Sequence, residues 1–318
     1  MDALSKFDVG TTATWRAAGL SEKQLAALVR AGDLRRIRFG AYATASILAA
    51  AETDPRLSHA VLVAAAAGRI HGAVASHASA ARLYGLGLLH QPAADTITIT
   101  VPPGARTRRS EQAGVIRHTA ALPAAHVAEL YGVRATTAAR TVADIARAAT
   151  FMEGVVVADS ALYQRHTSKT ELRRVLTSCK RWPGVARARQ AIDFSNSLSE
   201  SVLESCARVL LREQGLPPPE QQVKIVGRVG QFIARVDFLW RRQWTVAEAD
   251  GLIKYSGRND AIAQLKRDRL LRDAGYEVIH FTWQELFSDS AGIAARIRTA
   301  FDRAIRLGLS PPNPTHLA

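Results

Sequence analysis

The sequence predicts a mixed α/β chain, α+β overall, and three observations carry that prediction. Helix punctuation recurs through roughly the first half, short apolar runs bounded by turn residues read as strands at 96–101 and between 222 and 249, and the composition is that of a folded protein. Of the 318 residues 47% are hydrophobic and 22% charged, far from the charge-rich, apolar-poor signature of disorder. The length suits two or three domains.

Charge and targeting narrow the function. The chain holds 42 Lys+Arg against 28 Asp+Glu, a formal net charge of +14, and a pI near 10.5. That is the electrostatic footprint of nucleic-acid binders, and sometimes of proteins on anionic membranes. The most apolar stretch, Ala60 to Ala67, stops at Gly68-Arg69, well short of the roughly 18–20 residues a membrane span needs. The start, MDALSKFDVG, lacks the basic, apolar and cleavage regions of a signal peptide, so the expected address is the cytoplasm, with no membrane partner. Cys179 and Cys206 stand far apart with no CxxC companion, which argues against a disulfide framework or a cysteine zinc site.

Along the chain, Thr11 to Ala18 reads as a short helix closed by Gly19, and Ser21 caps a second helix, Glu22 to Ala31, that ends at Gly32. Leu20, Leu25, Leu28 and Val29 form its apolar side. Leu34 to Tyr42 then alternates apolar and basic residues around Gly40, as a two-stranded ribbon does. Helix, turn, helix and basic ribbon is the arrangement of a winged helix, expected over residues 1–55. Such modules bind DNA or protein; the clustering of Arg35, Arg36 and Arg38 where phosphates would lie favours DNA. Ser21, Lys23, Gln24 and Arg30 on the second helix, with the three ribbon arginines, are the candidate DNA contacts.

A mixed α/β middle region is expected over 56–180. Residues 56–89 are Ala-rich and helical in character. The strand at 96–101 ends at Pro102-Pro103-Gly104, a basic loop follows at Arg106-Thr107-Arg108-Arg109, and a helix opens near Thr136 with threonines as its cap. His77 and His118 have no spaced partners and read as structural or surface histidines.

Residues Ala18-Gly19-Leu20-Ser21, Leu28 to Gly32, Arg38 to Tyr42, Ser76 to Ala81 with Gly85-Leu86, and Thr137 to Asp144 occur in an order that resembles the AbiEi-type family, the antitoxin component of abortive-infection systems. The resemblance covers about the first 160 residues. It implies a DNA-binding N-terminal winged helix and is compatible with a toxin-like or defence-system partner.

The second half changes character. Ser199 to Leu211 is helical by period, which places Glu200 and Glu204 on one face, and Pro217-Pro218-Pro219 forces an extended exit. Candidate strands follow at Gln222 to Val226, Phe232 to Trp240 and Trp244 to Ala249, the last two joined by Arg241-Arg242-Gln243. Asp237 sits inside an apolar strand, and the side chains of Glu248 and Asp250 share a strand face. Like charges resist joint ionisation unless a cation intervenes. Oxygen-only ligands select Mg²⁺ or Mn²⁺, metals that serve phosphoryl transfer. The plainer alternative pairs Asp237 with Arg235 or Lys254; the ordered set Glu204, Asp237, Glu248 and Asp250 favours a site.

Through Glu204-Ser205, Gly215-Leu216-Pro217, Gln221 or Gln222, Arg235 to Trp240, Ala247 to Gly251, Lys254-Tyr255 and Asp273 to Trp283, the second half resembles the Vsr-like branch of the PD-(D/E)xK nuclease superfamily. The resemblance implies a restriction-endonuclease-like mixed sheet flanked by helices over 196–308, with 309–318 a disordered tail. It makes Asp237 the main metal-bridging carboxylate, Glu248 the second ligand and Glu204 the third, with Glu200 the alternative to Glu204. Asp250 stands where the superfamily usually has lysine, so Lys254, His280 or Gln264 is left to handle the water. Lys266 and Arg267, with Arg269 and Arg272, are either phosphate-facing or a solvated helix face. The expected function is a Mg²⁺-dependent (or Mn²⁺-dependent) DNA endonuclease or nickase, in which Lys254 stabilises phosphate charge and a homodimer is compatible with double-strand cutting. The alternative is a DNA-binding regulator with an inactive nuclease fold.

Overall fold

The computed structural model describes residue 4 and residues 8–105, 114–227, 230–250 and 258–307. It is a mixed α/β structure, about 51% helix and 21% strand, and the α+β class expected from sequence holds. The chain divides into two compact units, Met1–Ser195 and Asn196–Ala318. Among the described residues no helix is long and apolar enough to cross a membrane. The basic loop at 106–109, Lys254 and the tail at 309–318 lie outside the described residues.

The first unit opens with β1 (Val9–Thr11), α1 (Thr12–Ala17), α2 (Glu22–Ala31), β2 (Leu34–Arg38) and β3 (Ala41–Thr44). These three strands form an antiparallel sheet in the order β1-β3-β2. Helix α2 starts where it does because the Ser21 hydroxyl accepts from the Gln24 amide, and it stops at Gly32, whose φ of 87° suits glycine. Trp15, Leu25 and Leu34 bury together beneath the two helices and the ribbon. The ribbon register shifts between Arg36 and Arg38, a bulge that turns the basic edge.

Next come α3 (Ala45–Thr53), α4 (Pro55–Ala67), β4 (Val74–Ala75), α5 (His77–Tyr84), β5 (Ile97–Val101), β6 (Val115–Thr119), β7 (Val127–Leu130) and β8 (Val133–Thr136). Strands β4 to β8 make a five-stranded mixed sheet in the order β6-β5-β4-β8-β7. Its core runs without interruption from Ala43 and Ile47 through Leu57, Val63, Ile97 and Ile99 to Ala135. Residues on both sides of position 55 therefore share one core, because α3 and α4 bury their apolar sides together with the sheet. Helices α6 (Ala138–Ala148), α7 (Phe151–Tyr163), α8 (Lys169–Ser178) and α9 (Val185–Phe194) close a second core around Val142, Val157, Leu172 and Ile192.

The second unit is α10 (Val202–Glu213), β9 (Glu220–Val226), β10 (Phe232–Trp240), β11 (Thr245–Asp250), α11 (Arg258–Asp273), β12 (Glu277–Thr282), α12 (Trp283–Ser288) and α13 (Ser290–Arg306). The sheet order is β12-β11-β10-β9. Strands β9, β10 and β11 run antiparallel, and β12 returns parallel to β11 after crossing over through α11, as a parallel pair requires. Val236, Leu239, Val246 and Leu271 belong to one core cluster. The helix expected from Ser199 begins three residues later: the Ser201 hydroxyl accepts from the Glu204 amide and sets the first turn at Val202. Glu200 therefore precedes the helix instead of sharing a helical face with Glu204.

Candidate functional site

The strongest concentration of unbalanced chemistry in the second unit lies where α10, β9, β10, β11 and α11 meet. Glu204 comes from the first turn of α10 and is 6% exposed. Its Oε1 accepts from the Ser201 hydroxyl at 2.8 Å, and its Oε2 from the Glu200 amide at 3.0 Å and from Gln222 Nε2 at 2.8 Å. The same Gln222 nitrogen donates to Asp237 Oδ1 at 3.2 Å, so one amide group ties two carboxylates together. Gln222 does this from a left-handed backbone, φ 53°, an uncommon conformation for a residue with a side chain.

Asp237 sits where the β10–β11 ladder ends. The paired register runs from Trp240 opposite Thr245 to Phe238 opposite Ala247, and beyond it the Asp237 Oδ2 accepts the Ala249 amide at 2.9 Å. The carboxylate thus takes the place of a strand partner and is fixed by backbone. Arg235 does not neutralise it, since its guanidinium makes a bidentate pair with Glu200 at 2.9 and 2.8 Å.

Glu248 is 1% exposed. Its Oε2 meets Arg267 Nη2 at 2.8 Å, while Oε1 is buried with no hydrogen-bond partner among the described residues. Burial, reinforced by the negative charge of Asp237, pushes its carboxyl up to about 7, against the pull of Arg267. Glu204 is raised for the same two reasons. Asp250, 4% exposed, belongs to a neighbouring chain of contacts. Its Oδ2 lies 3.0 Å from His280 Nδ1 and 3.4 Å from Gln264 Nε2. His280 Nε2 lies 2.9 Å from Asp268 Oδ2, and the two acids raise the imidazole above its usual range, the Asp250 hydrogen bond contributing most.

The structure therefore brings Glu204, Asp237 and Glu248 to one neighbourhood and sets Asp250 beside His280. Glu200 is drawn to Arg235. Arg267 faces Glu248, while Lys266 is exposed. Gln222 and Asp268 were not singled out as site residues in the sequence. Gln222 stood only as one of two adjacent glutamines, and the left-handed backbone that selects it has no sequence signature. A hard divalent ion suits these all-oxygen donors, and the orphaned Glu248 Oε1 is a free ligand atom. Among the described residues, however, no group of three or more His, Cys, Asp or Glu side chains is assembled as a metal site; Arg267 supplies the positive charge instead.

In the first unit, Ser21 and Gln24 spend their side chains on each other: the Gln24 Oε1 accepts from the Ser21 amide and hydroxyl at 2.9 and 2.8 Å. Lys23, Arg30, Arg35 and Arg36 are exposed, and Arg38 is half-buried. Arg30 Nε donates to the Ala26 carbonyl and Arg36 Nε to the Arg38 carbonyl, each at 3.3 Å. Arg36 also lies over the Phe39 ring, 5.0 Å from its centre, which stiffens the ribbon tip.

No family model matches the chain. It is 28% identical over 184 residues to an uncharacterised protein of Mycobacterium tuberculosis, in both strain CDC 1551 and strain H37Rv; the match covers 58% of this chain and 68% of each relative. A crystal structure of the RV2827C protein from Mycobacterium tuberculosis has a TM-score of 0.38 at 22% identity, over 58% of this chain and 71% of that one. None of these likenesses assigns an activity.

Proposed function

We propose that this chain is a metal-dependent DNA endonuclease or nickase whose hydrolytic centre is Asp237, Glu248 and Glu204. The observation that carries the reading is the acidic group of buried Glu204 and Glu248 around half-buried Asp237, in which Glu248 keeps one oxygen without a partner among the described residues while its carboxyl is pushed up to about 7. Isolated buried acids are costly, and a site that holds them is a functional candidate. Bound Mg²⁺ or Mn²⁺ would supply charge stabilisation for phosphodiester hydrolysis. The chain's own residues do the positioning. Gln222 bridges Glu204 and Asp237, the Ala249 amide fixes Asp237, and Glu248 holds or releases a proton near neutral pH. His280, seated between Asp250 and Asp268, is a further proton carrier at the edge of the site. Lys254 is assigned to the scissile phosphate.

In this reading the order β1, α1, α2, β2, β3 forms a winged helix of the AbiEi-like kind. Its helix α2 offers Lys23 and Arg30 to DNA, and its ribbon offers Arg35, Arg36 and Arg38; the second unit is Vsr-like. The strand order β1-β3-β2 and the exposed basic ribbon support the first assignment, and the α10–β9–β10–β11–α11–β12 order supports the second. The protein acts in the cytoplasm on DNA, as a homodimer where both strands are cut, alongside a toxin-like or defence-system partner.

One observation favours a second reading. Arg267 already compensates Glu248 at 2.8 Å, as befits a DNA-binding regulator whose nuclease fold has lost its metal. Supercoiled plasmid incubated with the protein and Mg²⁺, Mn²⁺ or EDTA separates the two. The nuclease nicks or linearises with metal only, and Asp237→Ala lowers the rate at least about a hundredfold, the equivalent of about 2.7 kcal/mol of charge stabilisation. DNA binding without cleavage, indifferent to metal and to Asp237→Ala, establishes the regulator.

A further inference from the structure

The first unit holds a cavity of about 420 Å³, within the range of about 300–1,000 Å³ typical of small-molecule sites. Its wall is chemically unusual. Arg140, 2% exposed, and Asp144, 1% exposed, stand one turn apart on α6, with Arg140 Nε 2.8 Å from Asp144 Oδ2. Arg147 approaches the other oxygen of the same acid at 3.5 Å. Two guanidinium groups thus share one carboxylate. Both also lie against Trp182, 4.7 and 4.6 Å from the ring centre. Arg147 Nη1 donates to the Pro183 carbonyl at 2.8 Å, whereas its Nε is buried with no hydrogen-bond partner among the described residues.

Opposite them, His77 and His118 stack with ring centres 3.8 Å apart and planes 16° from parallel. Neither ring offsets the guanidinium charge: burial lowers both imidazoles, His77 down to about 3 and His118 in the same direction. His77 occupies a left-handed backbone position, φ 48°, that side chains rarely adopt without a local reason. The turn that brings Trp182 in depends on Gly184: at φ 77° a Cβ there would fall 2.1 Å from the Arg147 carbonyl oxygen.

The wall therefore carries one more positive charge than negative, and arginine cannot shed its proton to correct this. Water and neutral acceptors are a poor substitute for a counter-ion in a partly buried setting. We propose that this cavity binds the phosphate group of a phosphate ester, with Arg140 and Arg147 gripping the oxyanion and the stacked pair His77 and His118 flanking it. The planar guanidinium fork matches phosphate geometry. Neutral imidazoles add N–H donors without competing for the anion. The site is independent of the nuclease reading, which concerns the other unit.

Calorimetric titration of the full chain in a phosphate-free chloride buffer tests it, with inorganic phosphate, AMP, succinate, and an oligonucleotide bearing either a 5′-phosphate or a 5′-hydroxyl. Phosphate and AMP should compete for one site per chain, and Arg147→Gln should weaken both about tenfold or more, the loss expected for a charge-assisted hydrogen bond. His118→Ala, at a half-buried position, serves as the second variant and should weaken them less. AMP binding more tightly than inorganic phosphate assigns a small phosphomonoester. An Arg147-dependent preference for the 5′-phosphorylated oligonucleotide, with AMP no better than inorganic phosphate, assigns a nucleic-acid end. Succinate as tight as phosphate overturns the phosphate class. No saturable binding, or binding unchanged in both variants, overturns the site.

Discussion

The two units bury charge in opposite excess. In the first, Arg140 and Arg147 share Asp144; in the second, Glu204, Asp237 and Glu248 gather together and Arg267 pairs with Glu248. The responses differ because the chemistry of the groups differs. A carboxylate under strain takes up a proton, and Glu248 accordingly rises to about 7. A guanidinium has no such escape, so the excess positive charge persists, while the neighbouring imidazoles are lowered chiefly by burial and only secondarily by the arginines. The acidic cluster can thereby answer a change of pH, and under the two proposals above it takes a cation while the basic one takes an anion.

Asp144→Ala leaves two guanidinium groups without their shared acid, and removing one partner of a buried pair costs about 3–5 kcal/mol. Urea denaturation followed by tryptophan fluorescence should show that loss in the transition of the first unit. A loss within about 0.5 kcal/mol, the range of ordinary surface substitutions, would mean that the cluster is effectively solvated.

Glu248→Gln sharpens the contrast from the other side. The folded-state value near 7 lies above the ordinary 4.5, so the native chain binds the extra proton between those values and this residue's contribution to stability falls as pH rises through the window. The variant abolishes that dependence. Relative to wild type it should gain up to about 3 kcal/mol on going from pH 4.5 to 7. Denaturation profiles across that interval check it, and parallel profiles for the two proteins would exclude a raised Glu248.

Metal should act on the same group. Because a bound cation requires the deprotonated carboxylate, Mg²⁺ or Mn²⁺ binding should release a proton and tighten as pH rises through about 7. Calorimetry in buffers of different ionisation enthalpy measures that release. The smallest effect is expected at Ser201, which both caps α10 and donates to Glu204. Ser201→Ala should cost about 1 kcal/mol, the usual value of an N-cap, read from the denaturation midpoint of the second unit.

Much of the local structure was legible in the residues. The turn at Gly19 to Ser21, the cap on α2, the ribbon at 34–42 and strand β10 follow from periodicity, caps and glycine, signals that act within a few residues of one another. Glu204, Asp237, Glu248 and Asp250 were legible as candidates because acids in apolar surroundings are conspicuous. Their grouping was not. Glu200 reads as a helical neighbour of Glu204 until Ser201 proves to be the cap and Arg235, 35 positions away, takes its carboxylate.

His77 and His118 likewise carried no spacing signal, since β5 and β6 pair in parallel and only that pairing, with α5 folded against the sheet, stacks two rings 41 positions apart. The α+β class, the elements of residues 11–44 and of 202–250, strand β5 and the basic character of the ribbon were readable in advance, all set by short-range backbone and solvation preferences. Tertiary structure alone decided which charges share a counter-ion: Gln222 between two acids, Arg267 on Glu248, and two arginines on Asp144. Electrostatic pairing depends on distance in space, and distance in space is fixed by packing between elements rather than by position along the chain.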